Sequence, residues 1–72
     1  MSWRYVVTKQ TSEGEDVFGI KEQYDFEDGG QALTVDFCPA QGGTLQELAD
    51  DMRYQYQALL RAQRGFIVDE GE

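Results

Sequence analysis

The stretch CPAQGGTLQELADD, residues 38–51, decides the fold, because a strand-like pattern hands over to a helical one within it. It holds the only cysteine and the only proline of the chain. Pro39 ends a β-ladder, having no N–H to donate, and Gly42 and Gly43 let the backbone change direction sharply. Thr44 offers a hydroxyl to the unpaired N–H groups of a helix start, and Glu47, three residues on, completes a capping box. From there Leu45, Leu48, Met52, Tyr56, Leu59 and Gln63 recur at helical spacing, with Ala49 and Leu60 widening the stripe. Glu47, Asp50 and Asp51 near the start and Arg61 and Arg64 near the end complement the helix dipole. Gly65 supplies a left-handed stop. The pattern predicts one amphipathic helix whose apolar stripe roofs a sheet.

Upstream of this corner the chain alternates with the period of strands. WRYVVTKQ, residues 3–10, sets Trp3, Tyr5 and Val7 on one side and Arg4, Val6 and Thr8 on the other. TSEGED, residues 11–16, reads as a hairpin loop. VFGIKEQYDF, residues 17–26, groups Phe18, Ile20, Tyr24 and Phe26, interrupted by Glu22, against Val17, Gly19, Lys21, Gln23 and Asp25. Glu22 marks either a sheet end or a carboxylate aimed at a partner. EDGG, residues 27–30, gives a tight turn, and QALTVDF, residues 31–37, returns as a third strand with Leu33, Val35 and Phe37 on one face. The other face, with Val6, Val17, Ala32 and Thr34, is either solvated or paired with a second copy.

The expected architecture is therefore α+β: a three-stranded antiparallel β-meander packed on one C-terminal α-helix, in the order β-β-β-α. Residues 66–68, FIV, either pack under the last helical turn or add a short fourth strand. Residues 1–72 are read as a single domain, with 69–72 as a frayed acidic tail. A chain this short buries a thin core, and with one cysteine and no histidine neither a disulfide nor a zinc site is expected to staple it.

Fourteen Asp and Glu against six Lys and Arg give a formal net charge of −8. That balance disfavours direct binding to nucleic acid or to an anionic membrane surface, and favours a basic partner. No stretch approaches the roughly 18 apolar residues of a membrane span, and the N-terminus lacks the apolar core of a signal peptide. The lone thiol fits a reducing cytoplasm.

No residue pattern announces chemistry. Cys38 has no histidine to partner it and no Lys or Arg nearby in sequence to depress its pKa, so it reads as a packing residue and not a nucleophile. QGGT, residues 41–44, has the glycines of a phosphate loop but lacks its lysine, and Thr44 and Glu47 already occupy the helix-start N–H groups. DFEDGG, residues 25–30, gathers oxygens without the spacing of an EF-hand. No cofactor, no metal and no enzymatic activity are expected.

What remains distinctive is the set of carboxylates. Glu13, Glu15 and Asp16 lie in the first loop, Glu22, Asp25, Glu27 and Asp28 around the second, Asp36 beyond it, and Asp50 and Asp51 on the helix. These ten are the candidate partner-binding residues. Two of the groups fall at opposite ends of the second strand, about 25 to 30 Å apart at roughly 3.3 Å per residue, a spacing at which negative charge can imitate a duplex phosphate track.

FCPAQGGTLQELADDM, residues 37–52, resembles the HicB-like antitoxin domain, in which a strand leads through a Pro- and Gly-containing turn into a Gly-x-Thr-x-x-Glu helix start. The order strand, strand, strand, helix over residues 3–60 is also similar, and FIV stands where that family places a following strand. WRYVV, GEDVFGIKEQYDFEDG and GGTLQELADDM together look like a widespread group of small bacterial proteins with the same element order. In size and acidity, though not in motif, the chain is similar to small anti-CRISPR proteins. These resemblances imply a noncatalytic module of bacterial or phage origin that inhibits a basic, nucleic-acid-binding protein or nucleoprotein complex as a nucleic-acid mimic. The alternative they imply is a truncated HicB-like antitoxin that covers a small ribonuclease toxin; the DNA-binding segment that commonly follows this domain is not expected within residues 1–72. The plainest reading is a housekeeping adaptor. A monomer and a homodimer are both compatible with the pattern.

Overall fold

The computed structural model describes residues 1–71. Strands β1 (Ser2–Ser12) and β2 (Glu15–Asp25) form one long antiparallel hairpin, in register from Ser2 opposite Asp25 to Ser12 opposite Glu15. The loop expected over residues 11–16 shrinks to Glu13 and Gly14, both at positive φ (54° and 82°). In that conformation a two-residue turn matches the twist of its flanking strands.

The third strand, expected over residues 31–37, is only Gln31–Leu33 (β3), paired with residues 23–25 of β2. Thr34 explains the early end: its N–H reaches the Glu22 carbonyl at 3.0 Å while its hydroxyl accepts the Glu22 N–H at 3.1 Å. The next bond back to β2 runs from the Cys38 N–H to the Ile20 carbonyl at 2.7 Å. The chain thus spends residues 34 to 38 where β2 passes only from 22 to 20, so Val35 and Asp36 bow out into solvent. Phe37 lays its ring against Gly19, where an added Cβ would collide with the ring.

Helix α1 (Leu45–Gln63) starts as the sequence predicts. The Thr44 hydroxyl accepts the Glu47 N–H at 3.1 Å, and the Glu47 carboxylate accepts the Gly43 N–H at 2.9 Å, one residue earlier than in a standard capping box. Gly42 passes so close to the helix that a Cβ there would lie 2.5 Å from the Leu48 nitrogen. At the other end Gly65, at φ 106°, sends its N–H to the Ala62 carbonyl, and Phe66 sends its own to Arg61, the paired bonds of a Schellman stop.

The chain after Gly65 forms strand β4 (Ile67–Gly71), parallel to β1 from Val7 opposite Ile67, and the sheet order is β3-β2-β1-β4. The architecture is the expected α+β layout, a meander followed by a helix, with the fourth strand present. Asp69, Glu70 and Gly71, expected in a frayed tail, belong to β4; Glu72 lies outside the described residues. No helix among the described residues is long and apolar enough to cross a membrane.

The helix departs from expectation in its rotation. Its buried residues are Ala58 and Ala62, with Leu48, Asp51 and Gln55 half-buried on the same side, while Leu45, Met52, Tyr56 and Leu59 are exposed. Leu48 belongs to the apolar stripe, but Asp51, Gln55, Ala58 and Ala62 each precede a member of it by one position, a turn of about 100° about the helix axis. Hydrogen bonds on the inner side account for this. The Tyr5 hydroxyl donates to Asp51, the Gln55 amide to the Cys38 carbonyl at 3.0 Å, and the Arg61 guanidinium to the Tyr5 carbonyl at 2.9 Å. Small alanines let the helix approach β1 closely enough to make them.

The sheet face opposite the helix is also not the open one expected. By strand alternation it carries Val6, Thr8, Lys21 and Gln23, and all four are buried. The Phe37 ring and the Glu70 side chain lie against it at Lys21.

Candidate functional site

The ten candidate carboxylates do not form a continuous row. Glu13, Glu15 and Asp16 sit at the tip of the β1–β2 hairpin; Asp25, Glu27 and Asp28 sit at its other end, where Phe26 and Gly30 close the turn with a 2.8 Å hydrogen bond. With β2 spanning the distance, the two groups are about 30 Å apart at roughly 3.3 Å per residue. Glu22 lies between them on the helix side of the sheet, opposite Tyr5.

Partners separate these residues into two kinds. Asp51 is built into the fold: one carboxylate oxygen takes the Tyr5 hydroxyl and the other the Gln41 N–H at 2.9 Å. Burial, and then the hydrogen bond to Asp51, push the Tyr5 phenol up to about 12. Asp50 is neutralised by Arg53 at 2.9 Å and bonded by Gln46 at 3.0 Å. Glu22 accepts the Tyr24 hydroxyl, a bond that raises the Tyr24 pKa. These three are occupied within the chain.

At the hairpin ends the situation differs. Glu13 and Glu15 are exposed and make no side-chain bond or ion pair among the described residues; Asp16 accepts only the Thr11 hydroxyl at 2.8 Å. Asp25 accepts the Gln31 amide, Asp28 the Gly30 N–H, and Glu27 faces the terminal ammonium at 3.6 Å across open solvent. Asp36 is exposed in the bulge after β3. The Lys and Arg ion pairs lie elsewhere, at Lys9–Asp69, Lys21–Glu70 and Arg53–Asp50. Among the described residues no Lys or Arg side chain pairs with either hairpin end.

Two residues outside the candidate set form an ion pair with a buried ammonium. Lys21, with a side chain 3% exposed, donates to both Glu70 oxygens at 3.1 and 2.9 Å, and Gln10 donates to Glu70 at 2.9 Å. The Phe37 ring centroid lies 5.7 Å from the ammonium. The hydrogen bond from Lys21, reinforced by that from Gln10, holds the Glu70 carboxyl below its ordinary pKa. The bond ties β4 to β2 across β1. Sequence reading placed Lys21 on an open face and Glu70 in a tail; the β-branched pair Ile67 and Val68 was the available signal for a strand there.

Cys38 is half-buried, 3.5 Å from the Thr34 hydroxyl, and its backbone serves the sheet and the helix through Ile20 and Gln55. Among the described residues no three His, Cys, Asp or Glu side chains cluster as metal ligands would. No family model matches the chain, and neither a curated protein nor a solved structure matches it at a significant level.

Proposed function

We propose that the chain is a noncatalytic, acidic protein-binding module that occupies the nucleic-acid-binding surface of a basic protein or nucleoprotein complex. The observation that carries this reading is the uneven use of cations: among the described residues the Lys and Arg ion pairs serve the helix and β4, so both hairpin ends keep their carboxylates unneutralised by side chains. Glu13, Glu15 and Asp16 at one end and Asp25, Glu27 and Asp28 at the other are the contact residues. Asp36 adds to them. Asp50, Asp51 and Glu22 contribute to the field but not to contact, because their oxygens are already engaged.

Charge at two points about 30 Å apart suits a partner with an extended basic groove. Binding of this kind is fast, specific in register, and weakened by salt, since exposed charges are screened over about 10 Å at 0.1 M. The test is capture of basic proteins on the immobilised chain at low salt, followed by challenge with duplex DNA. The expected result is displacement by DNA and by about 0.5 M salt, where the screening length is only a few ångströms. Captured proteins that withstand both challenges would exclude nucleic-acid mimicry.

A further inference from the structure

We infer that the apolar groove between α1 and β2 is a homodimer interface, covered in solution by a second copy of this chain. The groove is a concavity of about 420 Å³ lined by Val7, Phe18, Ile20, Met52, Tyr56 and Leu59, with no charged residue on its walls. Phe18 is 56% exposed, Met52 56%, Tyr56 57% and Leu59 43%. Met52, Tyr56 and Leu59 are the helix residues whose spacing marks them for burial, yet they flank the sheet across an open groove instead of closing onto it.

The exposed area of the whole chain favours a second copy as the occupant. The chain exposes 5360 Å², whereas a compact monomer of this mass exposes about 4,500 Å². The excess is on the order of the 800 Å² that each partner contributes to a standard interface. The radius of gyration agrees: 13.1 Å, against about 11 Å for a compact chain of this length. The core adds a second argument. The buried apolar residues are Tyr5, Val6, Val7, Ala58 and Ala62, so α1 contributes only two methyl groups to it. A fold with so little inside needs its cover before any other partner arrives, and a second copy is the one molecule present whenever the chain is. The uncharged walls, moreover, offer nothing to a basic partner. A two-fold contact of groove on groove buries the same stripe on both copies.

The test is sedimentation equilibrium of the full chain, with thermal melts over a hundredfold range of concentration. The expected mass is twice 8.2 kDa, and the melting temperature rises with concentration, as it does when association and folding are linked. Leu59→Lys raises the dimer dissociation constant at least about 30-fold, the loss typical of a central contact residue. Val35→Lys, exposed but remote from the groove, leaves it unchanged. Because Leu59→Lys can lower folding as well, a mixture of Met52→Lys and Met52→Glu chains provides the complement: the mixture dimerises more tightly than either variant alone. A monomer at every concentration with a constant melting temperature would overturn the inference, as would a dimer indifferent to Leu59→Lys and Met52→Lys. Neither result bears on the acidic hairpin ends.

Discussion

Two sides of the same helix, one residue apart, follow opposite rules. The side on β1 is made of Asp51, Gln55, Ala58 and Ala62, held by hydrogen bonds to Tyr5, Gln41 and Cys38. The next side round, Met52, Tyr56 and Leu59, carries the apolar payload and faces outward. The difference shows that hydrophobic spacing identifies what a helix needs to bury, but not against which molecule. Close approach through alanines and directional polar bonds chose the inner side. That choice leaves the larger side chains for an external surface.

The contrast is broken most severely at Ala58. Ala58→Lys drives a charge into a site 1% exposed, and an uncompensated buried charge costs about 3 to 5 kcal/mol. Circular dichroism melts should show the fold lost or nearly so, whereas lysine at the neighbouring position 59 should cost a single chain far less. Comparable in kind is Glu70→Ala, which strands the Lys21 ammonium and should cost about 3 kcal/mol. Wild-type stability carries the same signature. Glu70 has a folded pKa below its unfolded one, so its contribution is complete above the usual glutamate range and is lost as pH falls through the folded value. Acid titration of the Glu70→Ala variant should lack that limb.

Tyr5→Phe probes the polar side more gently. It removes the hydroxyl from Asp51, a hydrogen bond to a charged group worth about 1.5 to 3 kcal/mol, and leaves the Gln41 bond in place. Tyr5 has its pKa raised, so its neutral form favours folding below pH 10 and the advantage declines as pH rises toward about 12. Alkaline unfolding should therefore be shallower in the variant. The smallest effect on folding belongs to Asp25→Lys, Glu27→Lys and Asp28→Lys combined. Exposed substitutions of this kind shift stability within about 0.5 kcal/mol each. Capture of basic proteins should nevertheless fall sharply, and retention at the wild-type level would remove that end of the hairpin from the proposed surface.

Much of this was legible in the chain itself, for local reasons. The Thr44 cap, the Gly65 stop and the alternation of residues 3–10 and 17–25 each depend on neighbours a few positions away, and each lies where the pattern puts it. What could not be read depends on distant partners. The third strand stops at Leu33 because the Thr34 side chain takes over from the backbone at Glu22. Residues 69–71 join the sheet by pairing with β1, and Glu70 meets there a lysine far away in sequence, Lys21. The helix rotation turns on Tyr5, Gln41 and Cys38, none of which shares its periodicity. For the acids, loop position was evident but engagement was not: nothing in the spelling of DD at 50–51 tells that Asp51 caps a tyrosine while Asp50 holds an arginine.

The most direct test is an isotope-filtered NOE experiment on a mixture of labelled and unlabelled chains. The methyls of Ala58 and Ala62 should give cross-peaks to β1 of their own chain, and those of Met52 and Leu59 should give cross-peaks to the other. Ala58 facing solvent, or Met52 and Leu59 giving cross-peaks only within their own chain, would contradict the account.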